Sequence, residues 1–510
     1  MVVAVLLALA YLIWAPPSAD LAAQDFRAHL FAEHGFEVWT NAWYSGTHLP
    51  GYSLLFPPLA ALVGVRIAGA LAVVTAAWCF ERLVRPRYGG RARLAAWLFG
   101  AGAAANLYTG RLTFALGLAL GMGALLALAR RRELLAAALA ALSACGSPVA
   151  GLFVAFAGGA LFLAGHRRRG LLLGAPAVLA IGLIALAFPT GGVEPFVANT
   201  FTLIVPGCLL VFLVLPREER TLRLGALLYL AFCLALFLVD TPVGGNATRL
   251  GSLAAAPLVA LAWGRRPALL VLAALVPLVY WQWVAPVRDL TDAVGEPAVE
   301  RAYYEPLLTE LERRGEDEPF RVHVPPTRNR WEADYVARAL PLARGWLRQA
   351  ESDDFELFQD GRLTPAAYRE WLDERAVRFV AVPTAAQPDY LAEDEIALLR
   401  AGVPGVERVW AGPGWELYEV ADPKPLADPP ARVSALGADW FELAGPPGAY
   451  RARISPSPYW RVTRGAGCVA TEGEGLLVEL ERGPLRVQAD FTLAGLWRAL
   501  ARRGSPVCSG

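Results

Sequence analysis

The sequence predicts a polytopic α-helical membrane protein of about 11 spans, followed by extracytoplasmic α/β and β-sandwich domains at the C-terminal end. Three observations lead there. Of 510 residues 56% are hydrophobic, yet the 47 basic and 46 acidic side chains are unevenly placed, and only 30 of them lie before Pro286. Within that first part, long apolar stretches recur between short charged tracts. Those tracts alternate in kind, arginine-rich and then acid-leaning, along the whole of it. A net charge of +1 with no basic, aromatic-laced patch excludes a nucleic-acid binder.

Residues 1–285 form the transmembrane domain. The spanning segments fall near Val2–Ala15, Pro57–Phe80, Ala95–Leu107, Leu112–Ala129, Leu134–Ser147, Val149–Gly165, Leu171–Phe188, Phe196–Leu215, Leu222–Val239, Leu250–Trp263 and Leu270–Ala285. Some are shorter than the roughly 20 residues of an upright span, which leaves partly re-entrant segments open. With the N-terminus cytoplasmic, the inner loops carry 16 arginines and four acids. The opposite loops, up to the last span, carry three arginines and six acids. That is the positive-inside bias, and an odd number of spans puts everything after Ala285 outside the plasma membrane. The first segment lacks a basic n-region and reads as a retained helix rather than a signal peptide.

Beyond the last span the pattern becomes that of folded soluble chain. In 286–422, Ala298–Arg313 and Pro365–Glu374 read as amphipathic helices, and Phe320–Val324, Val377–Val382 and Trp415–Val420 as strands. The tract Asp422–Pro430, with four prolines, is a stiff linker or an edge connection. In 423–510, short alternating stretches at Tyr450–Ile454, Trp460–Thr463, Gly475–Leu480 and Leu485–Phe491 suggest the β-sandwich, with a terminal helix within Phe491–Arg503. Two readings of this outer part stay open: a cover over the membrane core, or a binder of polymer or lipid-linked substrate. Cys79, Cys145, Cys208 and Cys233 read as apolar fillers. Cys468 and Cys508 lie where an oxidising compartment permits a disulfide. Neither the cysteines nor the five histidines have metal-site spacing.

The candidate chemistry concentrates in the first outer loop, residues 16–56, which is long and polar for its surroundings. Helical spacing puts Asp25 and His29 on one face. They suit a general base with its partner, or a cation site with Asp20 or Glu33; a wet interfacial helix has the same pattern. Further on, Trp39, Trp43, Tyr44 and Tyr52 with Asn41 and His48 offer stacking faces and polar groups that a sugar uses, or form an interfacial belt. Arg66 reads as lying within the second span, where a guanidinium needs a cavity, carboxylate or phosphate. Arg111 in an outer turn, and Arg249 beside Asp240, suit a phosphate at membrane level or pairing with Asp20, Asp240 or Glu194. In the outer domain Pro326–Tyr335 and Leu342–Gln349 are dense in polar and aromatic residues. They can cap the first loop and touch an acceptor, or simply lock the domain. No phosphate-binding loop, dinucleotide fingerprint or nucleophile elbow is present, so group transfer must draw on an activated substrate delivered in the membrane.

This layout resembles the GT-C superfamily of integral membrane glycosyltransferases, and is similar to uncharacterised actinobacterial membrane proteins. The resemblance rests on a retained first helix, the large first outer loop bearing Asp25 within Asp25-Phe-Arg-Ala-His29, the stretch Gly51-Tyr-Ser-Leu-Leu-Phe-Pro57-Pro58, and the outer C-terminal part with Trp331–Tyr335 and Ala343–Gln349. It implies a GT-C-like fold and transfer of a sugar from a polyprenyl-phosphate donor to a cell-envelope glycan or lipid acceptor. Asp25 would then deprotonate or orient the acceptor hydroxyl, with Asp20 and His29 nearby. Arg66, Arg111 or Arg249 would hold the leaving phosphate, and Trp43, Tyr44 and His48 the sugar, while membrane lipids surround the prenyl tail. Adjacent paired acids, found in some members, are absent here; a Mg²⁺ or Mn²⁺ ion on Asp20 and Asp25 is compatible and not required. The rival readings are a transporter or flippase of a lipid-linked glycan and a non-catalytic envelope-assembly scaffold.

Overall fold

The computed structural model describes residues 1–189, 192–315, 318–351, 357–358, 361–501 and 508. They form two compact units. The first comprises Met1–Gln24, Tyr52–Ile184 and Val193–Thr291 and is helical. Its elements are α1 (Val2–Trp14), the start of α2 (Ala19–His34), α3 (Phe56–Val63), α4 (Val65–Tyr88), α5 (Ala92–Tyr108), α6 (Leu112–Ala129), α7 (Glu133–Gly146) and α8 (Pro148–Leu163). There follow α9 (Arg167–Ala187), α10 (Ala198–Val214), α11 (Arg220–Leu238), α12 (Thr248–Ala260) and α13 (Ala268–Ala293). Chain this rich in Leu, Ala and Val satisfies its backbone internally as helix, the form an apolar solvent demands.

Among the described residues, five helical stretches are long and apolar enough to cross a membrane: Val65–Tyr108, α6, α9, α11 and α13. A sixth is added if α1 and α2, bent sharply between them, count as one span, whereas α7, α8 and α10 are apolar but shorter. Val65–Tyr108 is not one rod. Phe80 on α4 and Phe99 on α5 stack with ring centroids 4.1 Å apart, where straight helix would separate them by ~28 Å. The chain therefore reverses at Gly89–Arg91. Large apolar side chains such as Leu62, Leu134, Leu179, Leu213 and Leu269 stand exposed on these helices, as lipid-facing positions require.

Arg66 does not lie deep in a span: α3 ends at Gly64, whose φ is +90°, and Arg66 is the second residue of α4. Pro57 and Pro58 start α3 early, so the expected single helix divides. Arg66 donates from Nη1 to the Pro16 carbonyl at 2.9 Å, with its guanidinium over the Tyr11 ring at 5.4 Å.

The second unit gathers Asp25–Gly51, Ala185–Gly192 and Asp292–Gly510. Most of the first outer loop thus folds with the C-terminal part. Its hairpin, β1 (Trp39–Thr40) with β2 (Thr47–His48), is antiparallel. Main-chain bonds tie it in: Asn41 N–H to Ala438, Leu342 N–H to Ala42, and Ser455 N–H to Ser45, at 2.7, 2.9 and 2.9 Å.

The α/β portion contains α14 (Arg301–Arg314), β3 (Arg321–His323), the single turn α15 (Glu332–Tyr335), α16 (Pro365–Glu374), β4 (Val377–Pro383), α17 (Glu393–Ala401), β5 (Val406–Gly412) and β6 (Trp415–Val420). The sheet order is β3-β4-β6-β5, with β3 and β4 parallel and the other pairs antiparallel. Tyr368, Trp371, Leu372, Val380 and Ile396 fill the core against α16 and α17. The sequence reading omitted β5, because Glu407 and Arg408 stand exposed and leave no apolar alternation.

After it come β7 (Arg432–Leu436), β8 (Trp440–Ala444), β9 (Gly448–Ala452), β10 (Trp460–Glu472) and β11 (Gly475–Ala489). Among the described residues these are hydrogen-bonded into one five-stranded set, in the order β10-β11-β8-β7 with β9 on β11. The strand that joins them is β11, 15 residues long: its first part pairs with β9, its last part with β8, and β10 follows its other edge. A terminal helix, α18 (Leu493–Leu500), follows, capped by the Thr492 side chain accepting from the Gly495 N–H. Cys468 and Cys508 are joined in a disulfide.

Candidate functional site

In the helical unit, Asp20 sits in the first turn of α2 and accepts from Arg111 Nε at 3.3 Å. The local sequence dictates this approach. Gly110, at φ +73°, turns the chain where a Cβ would lie 2.4 Å from the Leu21 nitrogen, so only glycine lets the turn come so close to α2. Arg111 is the N-terminal boundary residue of α6, and Arg249 is the second residue of α12. Arg249 lies over the Phe114 ring at 5.6 Å. Arg111, Tyr52, Asp20 and Glu194 are the charged and polar groups within its electrostatic reach. Its Nε has no hydrogen-bond partner among the described residues. Arg111 and Arg249 thus set two guanidiniums at helix N-termini, where the helix dipoles add positive potential, and Asp20 bonds the first of them. Such a place holds an anion well.

In the second unit, Asp25 and His29 follow on α2. His29 Nε2 lies 3.2 Å from Glu33 Oε2. Burial and the positive Arg338 hold the His29 imidazole below its ordinary value, so it is neutral at pH 7. Asp25 has a second acid in its field, Asp334 of α15. Asp334 is buried and grips Arg338 through both carboxylate oxygens, at 2.7 and 2.9 Å. Burial pushes its carboxyl up to about 6 against the pull of Arg338, and Asp25 adds to the rise. The Tyr335 phenol, pushed up to about 12 by burial and by Asp334 and Asp25, stays protonated.

The scaffold of this cluster is explicit. Trp43 is fully buried, stacks on Phe26 at 4.4 Å and donates its indole N–H to the Ala333 carbonyl at 2.9 Å. It thus links the neighbour of Asp25 to the neighbour of Asp334. The turn leading to Asp334 is locked by Glu332, which accepts from the Thr327 N–H and hydroxyl at 3.2 and 2.6 Å. Burial raises the Glu332 carboxyl to about 7, opposed by the Thr327 bonds.

The structure places the remaining candidates inside the unit. Tyr44 is buried and donates to the Leu347 carbonyl at 2.8 Å. His48, also buried, has Nδ1 2.9 Å from the Pro189 carbonyl and Nε2 3.0 Å from Ser457 Oγ. Burial drives its imidazole down to about 4, so it is neutral, donating to Pro189 and accepting from Ser457. Asp20 and Asp25, five residues apart on α2 and so ~140° apart around the axis, are each engaged within their own unit. For a divalent ion the donor set is thin: among the described residues the one group of three potential ligands is Cys468, Glu479 and Cys508, whose sulfurs are already bonded together. The polar and aromatic density of Pro326–Tyr335 and Leu342–Gln349 marks them in the sequence as able to cap the first loop. That density does not single out Asp334 and Arg338, because neither carries a motif.

No family model matches the sequence, and no curated protein matches it. Among solved structures the chain is similar to ArnT from Cupriavidus metallidurans bound to undecaprenyl phosphate, at 12% identity and a TM-score of 0.38, over 79% of this chain and 93% of that one. At that TM-score the likeness is too loose to assign an activity.

Proposed function

We propose that the chain is a GT-C-type membrane glycosyltransferase, moving a sugar from a polyprenyl-phosphate donor to an envelope glycan or lipid acceptor at the outer membrane face. The observation that carries this reading is the pair Arg111 and Arg249, guanidiniums at two helix N-termini of an apolar helical unit, the first bonded to Asp20 and the second within its electrostatic reach. A lipid-borne phosphate is the anion that such surroundings admit, since its tail prefers the same solvent as the helices. The reading takes eleven spans, a cytoplasmic N-terminus and an extracytoplasmic second unit from the arginine bias of the loops.

In this mechanism Asp25 accepts the proton of the acceptor hydroxyl as its oxygen bonds to the anomeric carbon. The bond from that carbon to the phosphate oxygen breaks, and Arg111 and Arg249 offset the charge left on the phosphate. Asp334, held by Arg338, adds its charge to the surroundings of Asp25, and neutral His29 follows one turn on along α2. No step requires a metal ion.

The test is transfer by the purified full chain in detergent, with labelled polyprenyl-phosphate sugars and an extracted envelope acceptor. Sugar transfer with release of the free carrier phosphate supports the reading. A chain that binds these lipids but turns none over, while moving them across a sealed bilayer, is a transporter instead.

A further inference from the structure

α18 carries its large apolar side chains on the outside. Its buried residues are the small ones, Gly495 and Ala499. A Cβ on Gly495 would lie 2.6 Å from the Tyr459 ring, so glycine is what lets the helix seat this close. Leu493 and Trp497, four apart and hence on one face, are 81% and 68% exposed. Phe36 and Phe491 add two exposed rings, packed edge to face at 6.5 Å. The outward face belongs to a fixed element. Thr492 caps the helix, and Arg498 donates from Nε and Nη2 to the Pro458 carbonyl at 2.9 and 2.7 Å.

The neighbours of this helix say what covers it. Phe188, the residue after α9, has its ring 6.4 Å from Phe491 and 5.8 Å from Tyr459. The Tyr459 hydroxyl donates to the Ala187 carbonyl, the last of α9, at 2.8 Å. α9 has the highest mean hydropathy of the stretches able to cross a membrane, 2.3, and Leu183 and Leu186 near its end are exposed. The end of a spanning helix marks the bilayer surface, and Tyr459 and Phe491 are packed against that end. A short helix with Trp and Leu on its free face at that level has the build of an interfacial helix.

We infer that α18 lies in the plane of the membrane interface as a lipid anchor, with Leu493 and Trp497 inserted among the acyl chains. This rests on α9 crossing the bilayer and is independent of the sugar-transfer chemistry. The occupant is lipid rather than a second protein, because the bilayer is already present at Ala187 and no further partner is needed to cover the face.

The experiment uses the full chain in liposomes of phosphatidylethanolamine and phosphatidylglycerol bearing an alkyne tag. A benzophenone amino acid replaces Leu493, Trp497, Leu183 or Glu407, one at a time. Leu183 is the reference on a spanning helix, and exposed Glu407 the reference in water. The expected result is lipid adduct at Leu493 and Trp497 at the yield found at Leu183, and its loss at Glu407. Yields at Leu493 and Trp497 no higher than at Glu407 overturn the anchor, as does a cross-linked dimer in place of lipid adduct. Absence of adduct at Leu183 as well overturns the membrane placement of α9 and the anchor with it. Both α18 side chains stand outside the packed face, so the substituted chains fold.

Discussion

The charge of the buried Asp334 depends on the residues around it. Asp334 keeps company with Arg338, and Asp25 stands within its field on α2. If Asp25 takes the acceptor proton, Asp25→Asn should lower kcat about 10²–10⁴-fold, the range of general-base catalysis, with the folded yield unchanged. Turnover near the wild-type rate would remove Asp25 from the mechanism. Arg249→Ala should weaken carrier-phosphate binding about tenfold or more, the loss expected for a charged hydrogen bond, and leave uncharged polyprenol binding untouched. Equal losses for both lipids would make Arg249 structural. Glu37, just past α2, has an oxygen buried without a hydrogen-bond partner among the described residues. Burial, with Asp439 beside it, raises its carboxyl from 4.5 to about 8. The native state therefore holds a proton that the unfolded chain releases, so this group's contribution to stability falls as pH rises from 4.5 to about 8. Over that window Glu37→Gln should gain on the wild type in thermal melts by the order of a few degrees; parallel melting curves would contradict the protonated state.

At the level of elements, α2 shows how far periodicity reaches. Its spacing predicted one face carrying Asp25 and His29, yet His29 Nε2 reaches Glu33, one turn further on. Helical spacing allows both partners, and the charges arriving from the α/β portion bear on the choice: Arg338 and Arg301 lie in the field of His29. The expected single span around Arg66 divided because Gly64 interrupts it, a residue that a hydropathy average over the segment treats as neutral. The two stretches expected at Gly475–Leu480 and Leu485–Phe491 are one strand, β11, which pairs with different strands along its length; that continuity is not visible where Arg482, Gly483 and Pro484 break the alternation. The disulfide at the end of the chain closes a 40-residue separation. Chain entropy gives at most about 4 kcal/mol for a loop of that size, so Cys508→Ala should lower the melting temperature of the second unit, and reducing agent should do the same to the wild type alone. An unchanged melt under both treatments would show that the bridge contributes nothing to stability.

Across the molecule, the segregated charge carries a topology that is directly measurable. In intact cells a cysteine at Glu407 should react with a membrane-impermeant maleimide, whereas one at Arg131 should react only after permeabilisation. Labelling in the reverse order would invert the orientation taken from the arginine loops. Most helix positions of the first part, though not the break at Gly64, the change in charge density at Pro286 and the arginine bias of alternate loops were legible in the sequence. Each is a local quantity, the preference of one stretch of chain for apolar or aqueous solvent, and the membrane supplies the same solvent slab for every stretch. Tertiary structure alone decided that Asp25–Gly51 folds with the chain beyond Asp292. It likewise set Trp43 under Ala333, brought Asp334 into the field of Asp25, and buried Tyr44 and His48. These are contacts between segments hundreds of positions apart, fixed by packing and hydrogen-bond satisfaction in three dimensions, and residue spacing along one strand of sequence does not encode them.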